Sequence, residues 1–276
     1  MQSNPVGIIG CGFVGGAMQK SLEKRGQKTV IYDKYKELGS LAETLTCDII
    51  FLCLPTPFVE GFGYDLGSIK DTCTYLKANK YNGVVVVKST VEPGTCQDLA
   101  NHYNLCIFHN PEFLTARTAF EDLDGQKHIV IGTTRFVSPT DGHWQNKFVY
   151  PYHTLYDFYH KLYPEAEIST STSEESELMK LFCNNFYAVK VQLFNEFYFV
   201  SQKMNADFEK VKAMMFKNGW INPMHTKVPG PDGKFSFSGS CFPKDTGALN
   251  HFMKTNGTPH EVLEAAIKER NSMRKD

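Results

Sequence analysis

The chain has 276 residues, a formal net charge of −1 and 42 % hydrophobic residues, enough for two domains and a sizeable core. Without a basic excess, neither a nucleic-acid nor an anionic-membrane partner is expected, and no apolar run approaches the roughly 20 residues of a membrane span. The 8 cysteines are scattered without CxxC pairs or Cys/His ligand spacing, so they read as reduced thiols of a cytoplasmic protein with no metal site.

Met1 to Pro5 runs straight into a strand with no charged-then-apolar leader, so no signal peptide is expected. Val6-Gly7-Ile8-Ile9 ends in Gly10-Cys11-Gly12-Phe13-Val14-Gly15, and a helical pattern follows from Phe13 to about Lys24. In such a strand, turn and helix, Gly10 makes the tight turn and Gly12 lets a pyrophosphate approach the backbone. Gly15 lets the helix close on the strand. Thr29 to Asp33 reads as the second strand. Asp33 stands about 20 residues past the turn, where an acid reads a ribose 2′-OH and repels a 2′-phosphate. NAD is therefore expected over NADP, although Lys34 and Lys36 lie beside Asp33.

The alternation continues through Asp48–Leu54 (a buried strand), Pro55-Thr56-Pro57, a helix over Leu66–Asn79, and the strand Gly83–Lys88 ending in Ser89-Thr90. Leu105–Phe108 and Ile129–Gly132 are further strands, separated by His109-Asn110-Pro111-Glu112-Phe113-Leu114. Parallel sheets hold their ligands beyond the carboxyl ends of the strands. Thr56, Thr90 and Glu112 all fall there, although a lone Thr more commonly caps a helix. A helix from about Thr154 to Tyr163 and a strand from Ala166 to Ser169 complete an α/β, Rossmann-type, doubly wound parallel sheet over residues 1–170. The polar stretch 169–173 is the expected domain boundary.

Residues 171–276 are expected to form an all-helical domain. Its first helix, from Ser173 or Glu174 to about Met204, would span roughly 45 Å. Its aromatic content suggests a homodimer interface along it. Lys180 and Asn184, four apart, share one face of that helix. A second helix covers Asp207–Lys217, and the Pro- and Gly-containing stretch Trp220–Ser238 reads as an active-site loop. It leads to Gly239-Ser240-Cys241-Phe242-Pro243-Lys244-Asp245. With Pro243 in the first turn of the next helix, Cys241 lies at the positive end of a helix dipole, near Lys244. Both favour a nucleophilic thiolate. Asp245, one turn on, could orient a partner or hold a water. Helices over Lys244–Lys254 and Pro259–Met273 follow.

Taken together, GCGFVGG, Asp33, LPTP, KSTVEPGT, NPEFL, the segment Glu177-Leu178-Met179-Lys180 to Asn184, Asn195-Glu196 and GSCFPKD resemble the UDP-glucose 6-dehydrogenases and their nucleotide-sugar dehydrogenase relatives. The resemblance implies NAD as cofactor, held by Gly10, Gly12, Phe13, Val14, Gly15, Asp33, Lys34, Pro55, Thr56, Pro57, Ser89 and Thr90. It implies Cys241 as nucleophile, Lys180 on the oxygen at the sugar C6, and Asn184 and Asp245 assisting with that oxygen and a water. Glu112 would be the base for thioester hydrolysis, with Thr90 positioning a water and the nicotinamide. Phe113, Leu114, Phe237 and Gly239 would contact the sugar nucleotide. The implied reaction is a four-electron oxidation of UDP-glucose to the uronic acid. Three departures stand out: Ser236 and Ser238 replace glycines of the family loop, Ala116 replaces an acid, and the resemblance is to short, phage-like forms without a third, uridine-gripping domain. The alternatives are a two-electron dehydrogenase of the hydroxyacid or 6-phosphogluconate type, and a NAD-binding dimer with impaired catalysis.

Overall fold

The computed structural model describes residues 4–134 and 149–276; the first three residues, on which the leader expectation partly rests, lie outside them. The first strands are short and apolar. β1 (Val6–Ile9) leads through the glycine turn into α1 (Phe13–Lys24), then β2 (Thr29–Tyr32), the one-turn α2 (Leu41–Thr44) and β3 (Ile49–Leu52). A small hairpin, β4 (Phe58–Val59) and β5 (Gly63–Tyr64), precedes α3 (Gly67–Ala78), β6 (Val84–Val87), α4 (Thr95–Tyr103) and β7 (Cys106–His109). A 3-10 turn (Ala116–Thr118), α5 (Ala119–Asp124), β8 (His128–Thr133), α6 (Val149–Leu162) and β9 (Glu167–Thr172) complete this part.

The seven-stranded sheet has the order β2-β1-β3-β6-β7-β8-β9. Strands β1, β3 and β6 are buried at every position, which is why they read as unbroken apolar runs. Their side chains alternate between two cores. Ile8, Phe51 and Val86 face α1 and α6, while Ile9, Leu52 and Val87 face α3 and α4. The sheet is parallel except that β8 runs antiparallel to β7. A parallel neighbour needs a crossover helix packed on the strands it joins. The short α5 packs on α1 instead, where Asp124 is held by Ser21 (2.9 Å), Lys24 (2.6 Å) and Arg25.

The polar stretch 169–173, expected as a boundary, is strand and helix start. β9 pairs with β8 along its whole length, and Thr172 caps α7 (Ser173–Lys203). The cap is reciprocal: the Glu175 N–H donates to Thr172 Oγ1 (3.2 Å) and the Thr172 N–H to Glu175 Oε2 (2.8 Å). This is a capping box one residue earlier than the expected start at Ser173. Two compact units result: Met1–Pro57 with Tyr64–Lys180, and Phe58–Gly63 with Leu181–Asp276.

In the second unit α7 is followed by α8 (Phe208–Lys217), α9 (Phe242–Thr255) and α10 (Glu261–Met273). Asp207 caps α8 by accepting from the Glu209 and Lys210 N–H groups. Phe194, Phe208 and Val228 form a core with Phe197, Tyr198, Met215 and Phe235 around them. The loop before α9 contains no helix or strand. It is pinned by Arg274, which donates to the Phe235 carbonyl (3.1 Å) and to Asp232 (2.7 Å). Phe58 belongs here too: a Cβ on Gly247 of α9 would come within 2.7 Å of its ring. Among the described residues no helix is long and apolar enough to cross a membrane.

Candidate active site

The glycine turn of the first unit is built as its spacing predicts. Gly10 has φ +91°, and a Cβ there would lie 2.5 Å from the Cys53 carbonyl oxygen. A Cβ on Gly15 would lie 1.9 Å from the Gly10 oxygen, so only glycine lets α1 approach the turn this closely. Around Gly12 there is open space. No acid occupies the first turn of α1, so the positive helix end is left for an anion. Phe13 is exposed and Val14 partly so. Asp33 reaches the same turn. Its Oδ2 accepts from the Cys11 N–H (2.7 Å), and its Oδ1 from the Tyr35 and Lys36 N–H groups (3.0 Å each). Burial alone would raise its pKa, but those three N–H groups and the Lys36 charge outweigh it and hold the carboxyl below its usual range. Lys36 donates to the Cys11 carbonyl (2.6 Å), while Lys34 is exposed. These residues fit a dinucleotide pyrophosphate and ribose.

Thr56 and Thr90 are buried between exposed Pro55 and Pro57 and the loop after β6. Neither threonine caps a helix: Thr56 Oγ1 donates to the Thr90 carbonyl (2.7 Å), and Ser89 Oγ to the Leu54 carbonyl (2.6 Å). These bonds tie together the loops at the carboxyl ends of β3 and β6.

Beyond β7, Glu112 meets the ammonium of Lys180 at 3.3 Å, with both side chains nearly buried. Lys180 also donates to the Glu112 carbonyl oxygen and lies 4.9 Å from the centroid of the Phe113 ring. Glu112 Oε2 accepts from the Leu114 N–H (2.7 Å), which fixes the carboxylate. Ala116 opens the 3-10 turn and is exposed. Two residues that carried no role in the sequence reading lie close by. Lys88 is buried and donates to both oxygens of Asn110. Glu177 accepts from the Gly94 and Cys96 N–H groups (2.6 and 2.8 Å) at the start of α4. A lysine at the end of an all-valine strand was the signal for the first of these, since a cation there must find oxygen.

In the second unit Cys241 is the N-cap of α9, with Pro243 in the first turn. Among the described residues it is the one exposed cysteine. Burial pushes Cys53 and Cys73 up to about 12, which leaves them as inert thiols. Asp245 is fully buried, and its Oδ2 accepts from Asn184 (2.6 Å). The Lys244 ammonium donates to Asp245 Oδ1 (2.5 Å).

The serines that replace family glycines both bond to protein partners. Ser236 keeps a left-handed φ of +65° and is buried, its hydroxyl donating to Gln192 and its N–H to Asn195 (3.0 Å). Ser238 turns to Asp232 (3.3 Å). Phe237 is buried, and its carbonyl accepts from Arg270 (3.3 Å). Gly239, at φ +87°, has open space around it.

Residues 40–141 match the NAD binding domain of the UDP-glucose/GDP-mannose dehydrogenase family, and residues 174–272 match its central domain. The chain belongs to this family. The first unit is therefore its NAD-binding part. GDP-mannose 6-dehydrogenase of Pseudomonas aeruginosa is 25 % identical over 316 residues, which cover 97 % of this chain and 68 % of that one. UDP-glucose 6-dehydrogenase of Rhizobium meliloti is 30 % identical over 229 residues, 80 % of this chain and 49 % of the relative. The chain thus spans between about half and two thirds of the curated relatives it matches. Among solved structures, a UDP-glucose dehydrogenase from Pyrobaculum islandicum superposes with a TM-score of 0.81 over 98 % of this chain and 68 % of that one, at 22 % identity. That likeness is one of fold.

Proposed function

We propose that the protein oxidises the C6 hydroxyl of a nucleotide sugar, UDP-glucose being the first to test, to the uronic acid through a thioester on Cys241. The observation that carries this reading is the pairing of the Glu112 carboxylate with the Lys180 ammonium at 3.3 Å beyond the sheet's carboxyl edge. NAD+, when bound, supplies the hydride acceptor, twice per sugar. Lys180 donates to the C6 oxygen and steadies the negative charge that develops there. Once the alcohol has become an aldehyde, the Cys241 thiolate adds to C6, forming a C–S bond while the oxygen takes a proton. Loss of the second hydride and of the hydroxyl proton leaves the thioester. Glu112 then removes a proton from water as its oxygen attacks C6. Collapse of the adduct breaks the C–S bond and releases carboxylate and thiolate. In this reading Thr90 positions the water and the nicotinamide, and the hydrogen-bonded pair of Asn184 and Asp245 assists at the C6 oxygen. Phe113, Leu114, Phe237 and Gly239 border the sugar nucleotide, and the pyrophosphate lies on the Gly10–Gly15 turn. The protein works as a homodimer in the cytoplasm, with domains near 1–170 and 171–276.

The test is NADH production with UDP- and GDP-sugars. Two NADH per sugar and a uronic acid are expected from the wild type. Glu112→Gln should accumulate an acyl adduct on Cys241, seen by mass spectrometry of the intact chain. Cys241→Ser should lose uronic acid formation by a factor of at least about 10³. One NADH per substrate with an unaffected Cys241→Ser variant would instead indicate a two-electron dehydrogenase, and NAD binding with no turnover on any sugar nucleotide would sink the enzyme reading.

A further inference from the structure

The chemistry above uses one buried ammonium, that of Lys180, and leaves a second unused. Lys88 follows the last residue of β6 and is 5 % exposed. Its ammonium donates to Asn110 Oδ1 (2.7 Å) and to the Asn110 carbonyl (3.1 Å), both neutral oxygens. Asn110 is held at every polar atom. Its N–H donates to the Val87 carbonyl (2.9 Å) and its Nδ2 to the Val130 carbonyl (2.6 Å), while Oδ1 also accepts from Tyr159 (2.5 Å). Two residues on, past Pro111, stands Glu112. Burying an ammonium against neutral partners is costlier than burying an apolar side chain, so the position is explained best if the charge is used. The titratable groups that face Lys88 are Glu112, which favours its proton, Lys180, which opposes it, and the uncharged Cys53 thiol and His109 imidazole.

Resting on the proposed thioester chemistry, we propose that Lys88 is a positioning residue for the hydrolytic step. It locks the Asn110-Pro111-Glu112 turn so that the carboxylate meets water at C6, and it places a second positive charge beside the one on Lys180. Burial pulls the Lys88 pKa down to about 8, against the Glu112 charge, so the ammonium is present at neutral pH.

Lys88→Met keeps the length of the chain and removes the charge; thermal melting establishes whether it folds. The expected result is a kcat lower by roughly 10- to 100-fold, with KM unchanged or lower. The acyl adduct on Cys241 should accumulate. Lys88→Arg, which retains a cation, should recover part of the rate. Tyr159→Phe, which removes a single hydrogen bond to Asn110, should give the same signature more weakly and decides the matter if Lys88→Met does not fold. Active variants with no adduct and a kcat equal to that of the wild type would overturn the role of Lys88 while leaving the thioester route intact. If the wild type itself makes no NADH with any sugar nucleotide, the chemistry fails. The positioning then stands or falls on hydrogen exchange over residues 107–116, which should be faster in the folded variants; unchanged exchange overturns it.

Discussion

Glu177 sits among backbone N–H groups at the start of α4 and touches none of the groups assigned to the reaction. Burial raises its pKa to about 7, while the Cys96 thiol and the Cys96 and Gly94 N–H groups pull in the opposite direction. Because the folded value lies above the unfolded one, the stability it allows is complete below pH 4.5. That stability then falls as pH rises towards 7. The loss across that interval is about 3 kcal/mol. Urea titrations at pH 5 and pH 8 should show the wild type losing stability relative to Glu177→Gln. Parallel behaviour of the two would show that the carboxyl titrates normally. His109 adds nothing to this dependence at neutral pH: burial pushes its imidazole down to about 3, so it stays neutral beside Ser176 (2.7 Å).

At the scale of elements, the glycine turn separates stability from binding within six residues. Gly12→Ala places a methyl in open space and should leave the melting temperature nearly unchanged while weakening NAD at least about tenfold, because the pyrophosphate needs that backbone. Gly15→Ala drives a methyl against the Gly10 carbonyl and should cost about 3 kcal/mol or more of stability. Melting curves and NAD titration calorimetry on the two variants check the contrast; equal melting temperatures would contradict it. Such elements were legible because their signals act locally. The three glycines, the Asp207 cap and Pro243 in the first turn of α9 all lie inside the structures they specify. The reach of Glu112 to Lys180 followed from strand-end logic and family spacing together. What was not legible depends on residues far apart in the chain. The antiparallel β8, the pairing of Lys244 with Asp245, the anchoring of Lys88 by Asn110 and the inward turn of Ser236 towards Gln192 each answer to a tertiary partner.

At the scale of the whole molecule, Leu181 and Phe194 of α7 are buried. Phe182, Phe186, Leu193 and Val200 are instead exposed, Phe186 at 65 %. Phe186, Leu193 and Val200 recur every seven residues, so they form one narrow stripe of the kind that packs helix against helix. The proposed homodimer follows from this stripe. Light scattering should give twice 31.2 kDa, and Phe186→Glu with Val200→Glu should give a folded monomer. A monomeric wild type at micromolar concentration would contradict the assignment.

The hairpin segment Phe58–Gly63 groups with Leu181–Asp276, not with the residues that flank it. The polypeptide therefore passes from one unit to the other at three peptide bonds. Two of those three crossings serve the hairpin alone, so the Phe58 ring beside Gly247 is supplied to the second unit from within the sequence of the first. Residues 181–276 expressed alone would lack that ring and leave the α9 face at Gly247 uncovered.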